Sequence, residues 1–437
     1  MTRTVEALVA APSGLPRLVA DVSGTESLIA HTERLGVMPR VSSGRGRSVD
    51  LIGIVERSGL RGRGGSGFPT ATKMHAVADG RGPRVVIANG SEGEPASAKD
   101  AWLLTSRPHL VLDGASLAAQ AVNASEVVIA LDRHDGRARA TIARALEERR
   151  AARIDPVRIR GVDLPSRYVA GEESALVHWV NGGEAKPTFV PPRPFERGVR
   201  GRATLIQNVE TLAHLALIAR FGADWFRELG TITEPGTAIV TLGGAVARPG
   251  VCEIAIGTPL RDVLAAAGGP TEDIAAFLTG GYFGTWIRAE TAWDLPLGHL
   301  ELGRVGAAFG CGVVFALPTG ACGLAETARV ARYLAGESAG QCGPCAYGLP
   351  AIADALDSIV AGRQVKHMTG LIRRWTSQIA GRGACHLPDG AIRFVASALD
   401  TFAPELERHH SRGACASARR RGLLPLPDGD GREWGWR

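Results

Sequence analysis

The sequence has no apolar run long enough to cross a membrane. A membrane-spanning helix needs roughly 18 uninterrupted apolar residues. The longest candidate, residues 109–131, is interrupted by Asp113, Gln120, Asn123 and Glu126. The N-terminus carries a short apolar patch but lacks the sustained hydrophobic core of a signal peptide. These absences argue against a direct membrane span and predict a cytoplasmic protein.

Cysteine is scarce and unevenly distributed. The chain has seven cysteines, none of which precedes Cys252, and six lie between Cys311 and Cys415. An odd number in a cytosolic chain argues against a disulfide framework. The clustering instead favours a local metal or iron–sulfur site.

Lysine is also scarce, and charge of neither sign dominates. Fifty basic residues against 44 acidic ones give a net charge of +6 over 437 residues. Because the basic residues form no stripe with interleaved aromatic residues, we expect no nucleic-acid partner. The four lysines are Lys73, Lys99, Lys186 and Lys366. The first two fall in candidate site segments, which is a small indication of function there.

Short apolar strands alternate with longer helices in the first half of the chain. Strands are predicted at 84–88, 126–131 and 156–162, and the helices between them at 109–122 and 137–153. Such alternation indicates βαβ units and a mainly parallel sheet. A helix at 208–221 and a hairpin-plus-helix module over 237–267 follow. The remaining helices are predicted at 324–336, 348–361, 367–380 and 390–406.

This pattern divides the chain into five segments. We expect a helical N-terminal extension at 1–55, an α/β domain at 56–222, a small β-rich module at 223–305, a helical domain at 306–408 and a disordered basic tail at 409–437. No internal repeat is present.

The first candidate site is the glycine-rich segment GLRGRGGSGFPTATK at 59–73. The residues from Gly62 to Gly67 satisfy G-x-G-x-x-G, but a Rossmann fingerprint must follow a strand. Here the preceding residues have the apolar spacing of a helix, and no Gly-Lys-Ser/Thr completes a Walker loop. The glycines would let backbone N–H groups approach an anion, with positive charge from Arg63 and Lys73. A flexible surface turn is the alternative interpretation.

The second candidate is the loop NGSEGEP at 89–95, directly after the predicted strand 84–88. Ligands in open α/β sheets bind at the carboxyl ends of the strands, so this loop lies where a site is expected. Glu92 and Glu94 could accept hydrogen bonds from the ribose or amide groups of a nucleotide. An acidic, solvated turn would explain the same residues.

The third candidate is YVAGEESAL at 168–176. Its Gly171, Glu172 and Glu173 lie at the start of a predicted helix, where the helix dipole favours negative charge. Stabilisation of the helix N-terminus alone would also explain this pair of carboxylates.

The fourth candidate is Cys342-Gly-Pro-Cys345, followed by Cys385 after 39 intervening residues. A C-x-x-C beside a βαβ pattern can be a thioredoxin-like redox pair, but this one lies in the helical region. Two thiolates close in sequence with a distant third fit an iron–sulfur cluster or zinc.

In this order, the segments GLRGRGGSGFPT, NGSEGEP, YVAGEESAL, NVETL and ESAGQCGPC resemble the family of flavin-carrying, NADH-oxidising subunits (51 kDa-type, F) of bacterial complex I and its relatives in NAD-linked hydrogenases and formate dehydrogenases. The matching region, from Gly59 to Cys385, is about three quarters of the chain. The resemblance implies a Rossmann-like FMN-binding α/β domain, a ubiquitin-like β-grasp module and a C-terminal helical bundle with a [4Fe–4S] cluster.

The resemblance also implies the function. Electrons would pass from NAD(P)H through FMN to the cluster, and then to a ferredoxin-like or thioredoxin-like 2Fe–2S subunit or another redox protein. FMN is suited to this task because it is stable with one or two added electrons. The chain would be cytoplasmic, at the periphery of a membrane-bound complex.

The family's site residues carry over to matching positions of this sequence. FMN would be held by Gly62, Arg63, Gly64, Gly65, Gly67, Lys73, Asn89, Glu92, Gly171, Glu172 and Asn208. The dinucleotide would be held by Phe68 and Tyr168 together with the two catalytic candidates, Glu94 and Glu173. The cluster ligands would be Cys342, Cys345 and Cys385.

The sequence departs from the family pattern at nucleotide-contacting positions. The family's K-P-P-F-P aligns on 190–194, which puts Val190 at the lysine, with Arg193 or Lys186 as candidates to replace it. Ala76 stands where the family has a second aromatic residue. The alternative function is therefore an FMN and iron–sulfur module that no longer uses NADH and exchanges electrons with a ferredoxin-like or dehydrogenase partner. A structural subunit without cofactors is a third hypothesis, against which the retained glycine and glutamate motifs argue.

The family's first cluster cysteine is also missing, because its position is occupied by Ala339. We therefore expect a cluster held by three cysteines with an exchangeable fourth iron. Cys415 is the second choice for a fourth ligand, and His386, next to Cys385, is a further candidate. Cys311 and Cys322 lie in apolar surroundings and are predicted to be buried structural thiols.

Overall fold

The structure is a computed structural model that describes residues 7–9, 17–19, 24–41, 50–427 and 435–436. Its strands are β1 (Ala7–Val9), β2 (Arg84–Gly90), β3 (Ala124–Asp132), β4 (Arg158–Leu164), β5 (Ala203–Asn208), β6 (Thr237–Gly244), β7 (Gly250–Ala255), β8 (Ile274–Thr279), β9 (Thr285–Arg288) and β10 (Val313–Pro318).

Its helices are α1 (Leu28–Leu35), α2 (Leu51–Ser58), α3 (Thr70–Ala78), α4 (Lys99–Ser106), α5 (Pro108–Ala121), α6 (Gly136–Ala152), α7 (Glu173–Val180), α8 (Val209–Arg227), α9 (Leu260–Ala266), α10 (Ala289–Ala292), α11 (His299–Arg304), α12 (Gly323–Gly336), α13 (Leu349–Val360), α14 (Val365–Ile379), α15 (Leu387–Thr401) and α16 (Ala403–Arg412). Two short 3-10 helices and one π-helix cover Val199–Gly201, Ala416–Arg419 and Pro344–Gly348. None of the described helices is long and apolar enough to cross a membrane.

A four-stranded parallel sheet in the order β4-β3-β2-β5 forms the first domain. Residues 85–88 of strand β2 are all apolar because both faces of the strand are covered there: Val86 and Ala88 pack into one core, and Val85 and Ile87 into another. The chain continues from β2 to β3 and β4 on one side and returns as β5 on the other. The carboxyl ends of β2 and β5 are therefore a topological switch point, where ligands bind in such folds.

The predicted α/β fold is confirmed, with one strand that the sequence did not indicate. Strands β2, β3 and β4 and helices α5 and α6 lie within a few residues of their predicted positions. Strand β5 was not predicted because its apolar run is short and is interrupted by Thr204 and Gln207. Helix α8 begins as predicted but continues past 221 to Arg227 through a kink at Gly222.

The second sheet is mixed, in the order β1-β7-β6-β10-β8-β9. The hairpin β6–β7 and helix α9 were predicted, and the β-grasp arrangement is completed by β10, which pairs parallel to β6 and antiparallel to β8. Two of its strands fall outside the segment expected at 223–305. Strand β10 lies beyond residue 305, and β1, in the segment expected to be helical, pairs parallel to β7.

The last domain is helical, as predicted, but it differs in two details. The helix expected at 390–406 is two helices, because α15 ends before Phe402 and Pro404 lies in the first turn of α16. The described part of the tail packs on this domain instead of being disordered. The amides of Leu423 and Leu424 both donate to Glu326 at 2.9 Å, and the Leu424 side chain is buried. Residues 428–434 and 437 lie outside the described residues.

Candidate functional site

A cavity of about 480 Å³ opens at the carboxyl ends of β2 and β5. It brings together residues from all four candidate segments of the sequence. Those of the predicted site residues that line it are Gly64, Gly65, Asn89, Glu92, Glu94, Tyr168, Gly171, Glu172, Asn208 and Cys385. The register of the sheet explains why two of these residues are close together, because Asn89 at the end of β2 is paired with Asn208 at the end of β5.

The glycine-rich loop joins α2 to α3, so its G-x-G-x-x-G run follows a helix, as the apolar spacing predicted. The loop closes on itself through the N–H of Gly62, which donates to the carbonyl of Phe68 at 2.8 Å. A Cβ on Gly64 would lie 3.2 Å from the Cβ of Asn208. Glycine therefore lets the loop backbone approach the end of β5 more closely than a side chain would permit.

The loops at Asn89–Glu94 and Tyr168–Glu173 also meet through their backbones. A Cβ on Gly93 would lie only 2.5 Å from the carbonyl oxygen of Tyr168, and one on Gly171 would lie 3.2 Å from that of Ser91. The side-chain amide of Asn89 donates to the carbonyl of Gly171 at 2.9 Å. These contacts fix one wall of the cavity without large side chains.

Glu94 is buried between this cavity and a second cavity of about 550 Å³. Glu94 and Tyr168 line both cavities. Its Oε2 accepts hydrogen bonds from the Tyr282 N–H at 2.6 Å and the Tyr168 hydroxyl at 2.8 Å, and its Oε1 accepts from the Ala96 N–H at 3.1 Å. Burial raises the pKa of Glu94 to about 7 in spite of these hydrogen bonds. The carboxyl group therefore titrates near neutral pH.

The prediction that Cys311 is a buried structural thiol is wrong, because this residue is only partly buried. It lines the cavity rather than a purely structural core, and its thiol donates to the Gly280 carbonyl at 3.6 Å. Burial and the neighbouring Glu94 raise the pKa of the Cys311 thiol well above its usual range. The thiol is therefore uncharged at neutral pH.

Glu92 and Glu172 line the cavity but also cap helices. The Glu92 carboxylate accepts hydrogen bonds at 3.1 Å from the N–H groups of Asp100 and Ala101 at the start of α4, and burial raises its pKa to about 7. Glu172 accepts from the N–H groups of Ser174 and Ala175 at 2.9 and 3.1 Å at the start of α7. Both carboxylates thus hold the cavity loops against helix N-termini.

A buried ion-pair network borders the cavity and was not assigned from the sequence. The ammonium of Lys99 lies 2.8 Å from Asp100 and 2.9 Å from Glu210, and it donates to the side-chain oxygen of Asn208 at 3.2 Å. Although burial alone would raise the pKa of Glu210, Lys99 and its other partners lower it to about 2. The scarcity of lysine was the one signal for this network.

The predicted cationic residues of the glycine-rich loop do not line the cavity. Arg63 is buried and donates to the carbonyl of Thr237 at 2.9 Å, with its Nε 4.0 Å from Glu210. Lys73 forms an ion pair with Glu173, and both side chains are partly exposed. The sequence could not distinguish the buried arginine from the accessible lysine.

The remaining predicted residues of this loop also lie away from the cavity lining. A Cβ on Gly67 would lie 2.9 Å from the ring of His299, and Phe68 is 45 % exposed. Val190, at the position of the family's lysine, is exposed as well, while Lys186 forms an ion pair with Glu184 at 2.9 Å.

The three predicted cluster cysteines lie near one another, and one of them, Cys385, lines the cavity. The Cys345 thiol interacts electrostatically with the side chains of Ser338, Cys342 and Cys385. Cys385 itself lines the cavity, beside His386. Burial raises the pKa of the Cys345 thiol to about 12, so it would lose its proton only on binding a metal.

The second choice for a fourth cluster ligand does not fit the structure. The thiol of Cys415 lies within 4.8 Å of ligand atoms of Cys322 and His409, not with the cluster cysteines. Cys322 is buried, as predicted. The sequence could not show these contacts because 87 positions separate Cys322 from His409.

Three family models match successive parts of the chain. The Nuo51 FMN-binding domain matches residues 55–217, the SLBB domain matches 239–281, and the NADH-ubiquinone oxidoreductase-F iron-sulfur binding region matches 325–409. The three matches follow the order of the α/β domain, the β-grasp module and the helical domain.

Similar proteins cover most of the chain. The F subunit of the NADH-quinone oxidoreductase of Streptomyces coelicolor is 32 % identical over 378 residues, covering 84 % of each chain. An NADP-reducing hydrogenase subunit of Solidesulfovibrio fructosivorans is 28 % identical over 379 residues, covering 84 % of this chain and 77 % of the relative. Among solved structures, a chain of the NAD⁺-reducing [NiFe]-hydrogenase in the H₂-reduced state has a TM-score of 0.75 at 31 % identity. The match covers 83 % of this chain and 62 % of the hydrogenase chain.

Proposed function

Because this chain belongs to the family of NADH-quinone oxidoreductase F subunits, we propose that it passes electrons from NADH through FMN to a [4Fe–4S] cluster and on to a partner redox protein. The observation that carries the proposal is a single cavity lined by the glycine-rich loop, Glu94 and Cys385. When bound, FMN accepts an electron pair and releases electrons singly. A flavin in this cavity would lie directly beside a ligand of the cluster.

The cavity residues fit a flavin nucleotide. Backbone at Gly64 and Gly65 lines the cavity without side chains, and the side-chain amides of Asn89 and Asn208, held in place by Gly171 and Lys99, form fixed polar parts of its wall. We assign contact with the phosphate group to Lys73, whose ammonium is partly exposed and pairs with the partly exposed Glu173. Arg63 instead has a structural role, because its guanidinium is buried against Thr237 and Glu210.

The cysteines fit a cluster with three protein thiolates. Cys342, Cys345 and Cys385 supply one sulfur each, and Ala339 offers no ligand atom. We propose that the fourth iron is held by an exchangeable group, which would make this iron labile. Cys415 is the next cysteine in the sequence, but its thiol lies beside Cys322 and His409 instead of the cluster cysteines.

We assign dinucleotide binding to Glu94 and Tyr168, with Phe68 and Glu173 as further contacts. The Tyr168 hydroxyl and the Tyr282 N–H hold the Glu94 carboxylate in one orientation. A carboxylate accepts hydrogen bonds from ribose or carboxamide groups more strongly when it is ionised. The relatives are named as subunits. We propose that the electron acceptor is a separate 2Fe–2S or similar redox protein. The chain would act in the cytoplasm or at the edge of a membrane-bound complex.

Substituting Glu94 with glutamine should raise the apparent KM for NADH by about tenfold, with flavin still bound, because ground-state binding is lost. In the wild type, KM should fall as pH rises through about 7, since the Glu94 carboxyl ionises there. The Glu94→Gln variant should show no such change. Steady-state kinetics from about pH 6 to about pH 8, with flavin content measured in parallel, would test both effects.

Glu272→Gln is the matched control, because Glu272 is an exposed carboxylate in the β-grasp module. It should leave KM and its pH dependence unchanged. Loss of flavin from Glu94→Gln would assign this residue to the flavin instead. A KM that is unchanged in Glu94→Gln would contradict its role in dinucleotide binding.

A further inference from the structure

A second group of metal-ligating side chains lies in the helical domain, apart from the cluster cysteines. The ligand atoms of Cys322, His409 and Cys415 all lie within 4.8 Å of one another, and no other such group occurs in the described part of the chain. Cys322 immediately precedes α12, His409 lies on α16, and Cys415 follows the end of α16. The fold therefore brings three elements together at these side chains.

The spacing suits a single tetrahedral ion. The Cys322 sulfur lies 3.7 Å from Nε2 of His409. Zinc–sulfur and zinc–nitrogen bonds of about 2.3 and 2.0 Å at a tetrahedral angle would separate the two atoms by about 3.5 Å. Glu405 lies one helical turn before His409 on α16, and its Oε2 is 3.5 Å from the same sulfur. The group itself thus offers two thiols and an imidazole, and the Glu405 carboxylate beside the Cys322 sulfur is the nearest group for a fourth position.

The imidazole is oriented as in a metal-binding histidine. Nδ1 of His409 is 3.1 Å from the backbone carbonyl of Ile359, to which it must donate because a carbonyl oxygen only accepts. This hydrogen bond leaves the lone pair of Nε2 directed at the Cys322 sulfur, and such a contact to a backbone carbonyl is typical of histidine ligands. Cys322 and His409 are 3 % and 1 % exposed, so water does not compete for these atoms.

We propose that Cys322, His409, Cys415 and Glu405 bind one Zn²⁺ ion in a closed structural site. Four protein ligands leave no open position, which is the pattern of structural rather than catalytic zinc. The ion would fasten the start of the tail to α12, where Glu326 receives the amides of Leu423 and Leu424. This inference does not depend on the proposed electron transfer.

The test is the metal content of the whole chain, purified anaerobically from zinc-supplemented cells. We expect about one zinc per chain in addition to iron, and zinc K-edge absorption should show two sulfur ligands at about 2.3 Å and two lighter ligands at about 2.0 Å. Cys415→Ser should lose most of the zinc and keep the iron. This variant should still fold, because Cys415 is only partly buried and follows the last α-helix.

Two control variants test whether zinc is lost only when a residue of this site is changed. His410→Ala changes the exposed neighbour of His409 on the same helix and should keep its zinc. Cys385→Ser should lose iron but keep zinc. Absence of zinc from the wild type, or unchanged zinc in Cys415→Ser, would overturn the proposal. Iron in excess of the cluster that disappears in Cys415→Ser would overturn the choice of zinc.

Discussion

Replacing Cys385 with serine is expected to remove nearly all cluster iron while leaving the flavin in place. In the proposed ligand set of three cysteines, the loss of one leaves two thiolates, too few to hold the cluster. Cys385 lies at the end of the cavity, so the loop residues expected to bind flavin are untouched. Iron analysis and electron paramagnetic resonance of the reduced protein would measure the loss. Flavin content should remain near that of the wild type.

Cys252→Ala is the matched control, because Cys252 is a buried thiol in the core of the β-grasp module. It should retain its iron and the resonance signal of the wild type. Wild-type iron content in Cys385→Ser would show that the cluster, if present, is held by other residues.

Alanine at position 93 is expected to weaken flavin binding by about tenfold to about 100-fold. Its Cβ would lie 2.5 Å from the carbonyl oxygen of Tyr168, so one of the two backbones must move. Overpacking of this kind costs typically about 1–3 kcal/mol, and each 1.4 kcal/mol is about a tenfold change in affinity. The displaced loop carries Asn89, Glu92 and Glu94, which all line the cavity. Flavin titration of the apoprotein would measure the change.

Gly161→Ala is the control for this substitution. Gly161 lies on strand β4, where an added Cβ would have no neighbour within 4 Å. Its flavin affinity should equal that of the wild type. If Gly93→Ala also binds flavin normally, the meeting of these two loops does not shape the binding site.

Local patterns predicted much of the fold but not the strand that completes the site. The apolar runs of β2 and β3 and the helical spacing of residues before the glycine-rich loop are local properties, and each gave the observed element. Strand β5 has a weaker local pattern and is recognised only by its pairing with β2. Its last residue, Asn208, is nevertheless one of the residues that close the cavity.

The roles of individual charges were harder to predict than the positions of the motifs. Arg63 and Lys73 belong to one segment, yet the first is buried against Thr237 and the second is partly exposed and pairs with Glu173. Glu92 caps α4, a helix that the apolar spacing did not reveal. Such distinctions depend on contacts between distant parts of the chain, which the spacing of residue types does not encode.

The most direct test of the central claim is an anaerobic absorbance spectrum of the purified chain before and after addition of NADH. We expect flavin bands over a broad iron–sulfur absorption, and NADH should bleach the flavin bands, because the cavity of Glu94 and Tyr168 would hold the dinucleotide beside the flavin. Dithionite, which reduces flavin without a dinucleotide site, serves as the control. Flavin bands that dithionite bleaches but NADH and NADPH leave unchanged would contradict the proposed function.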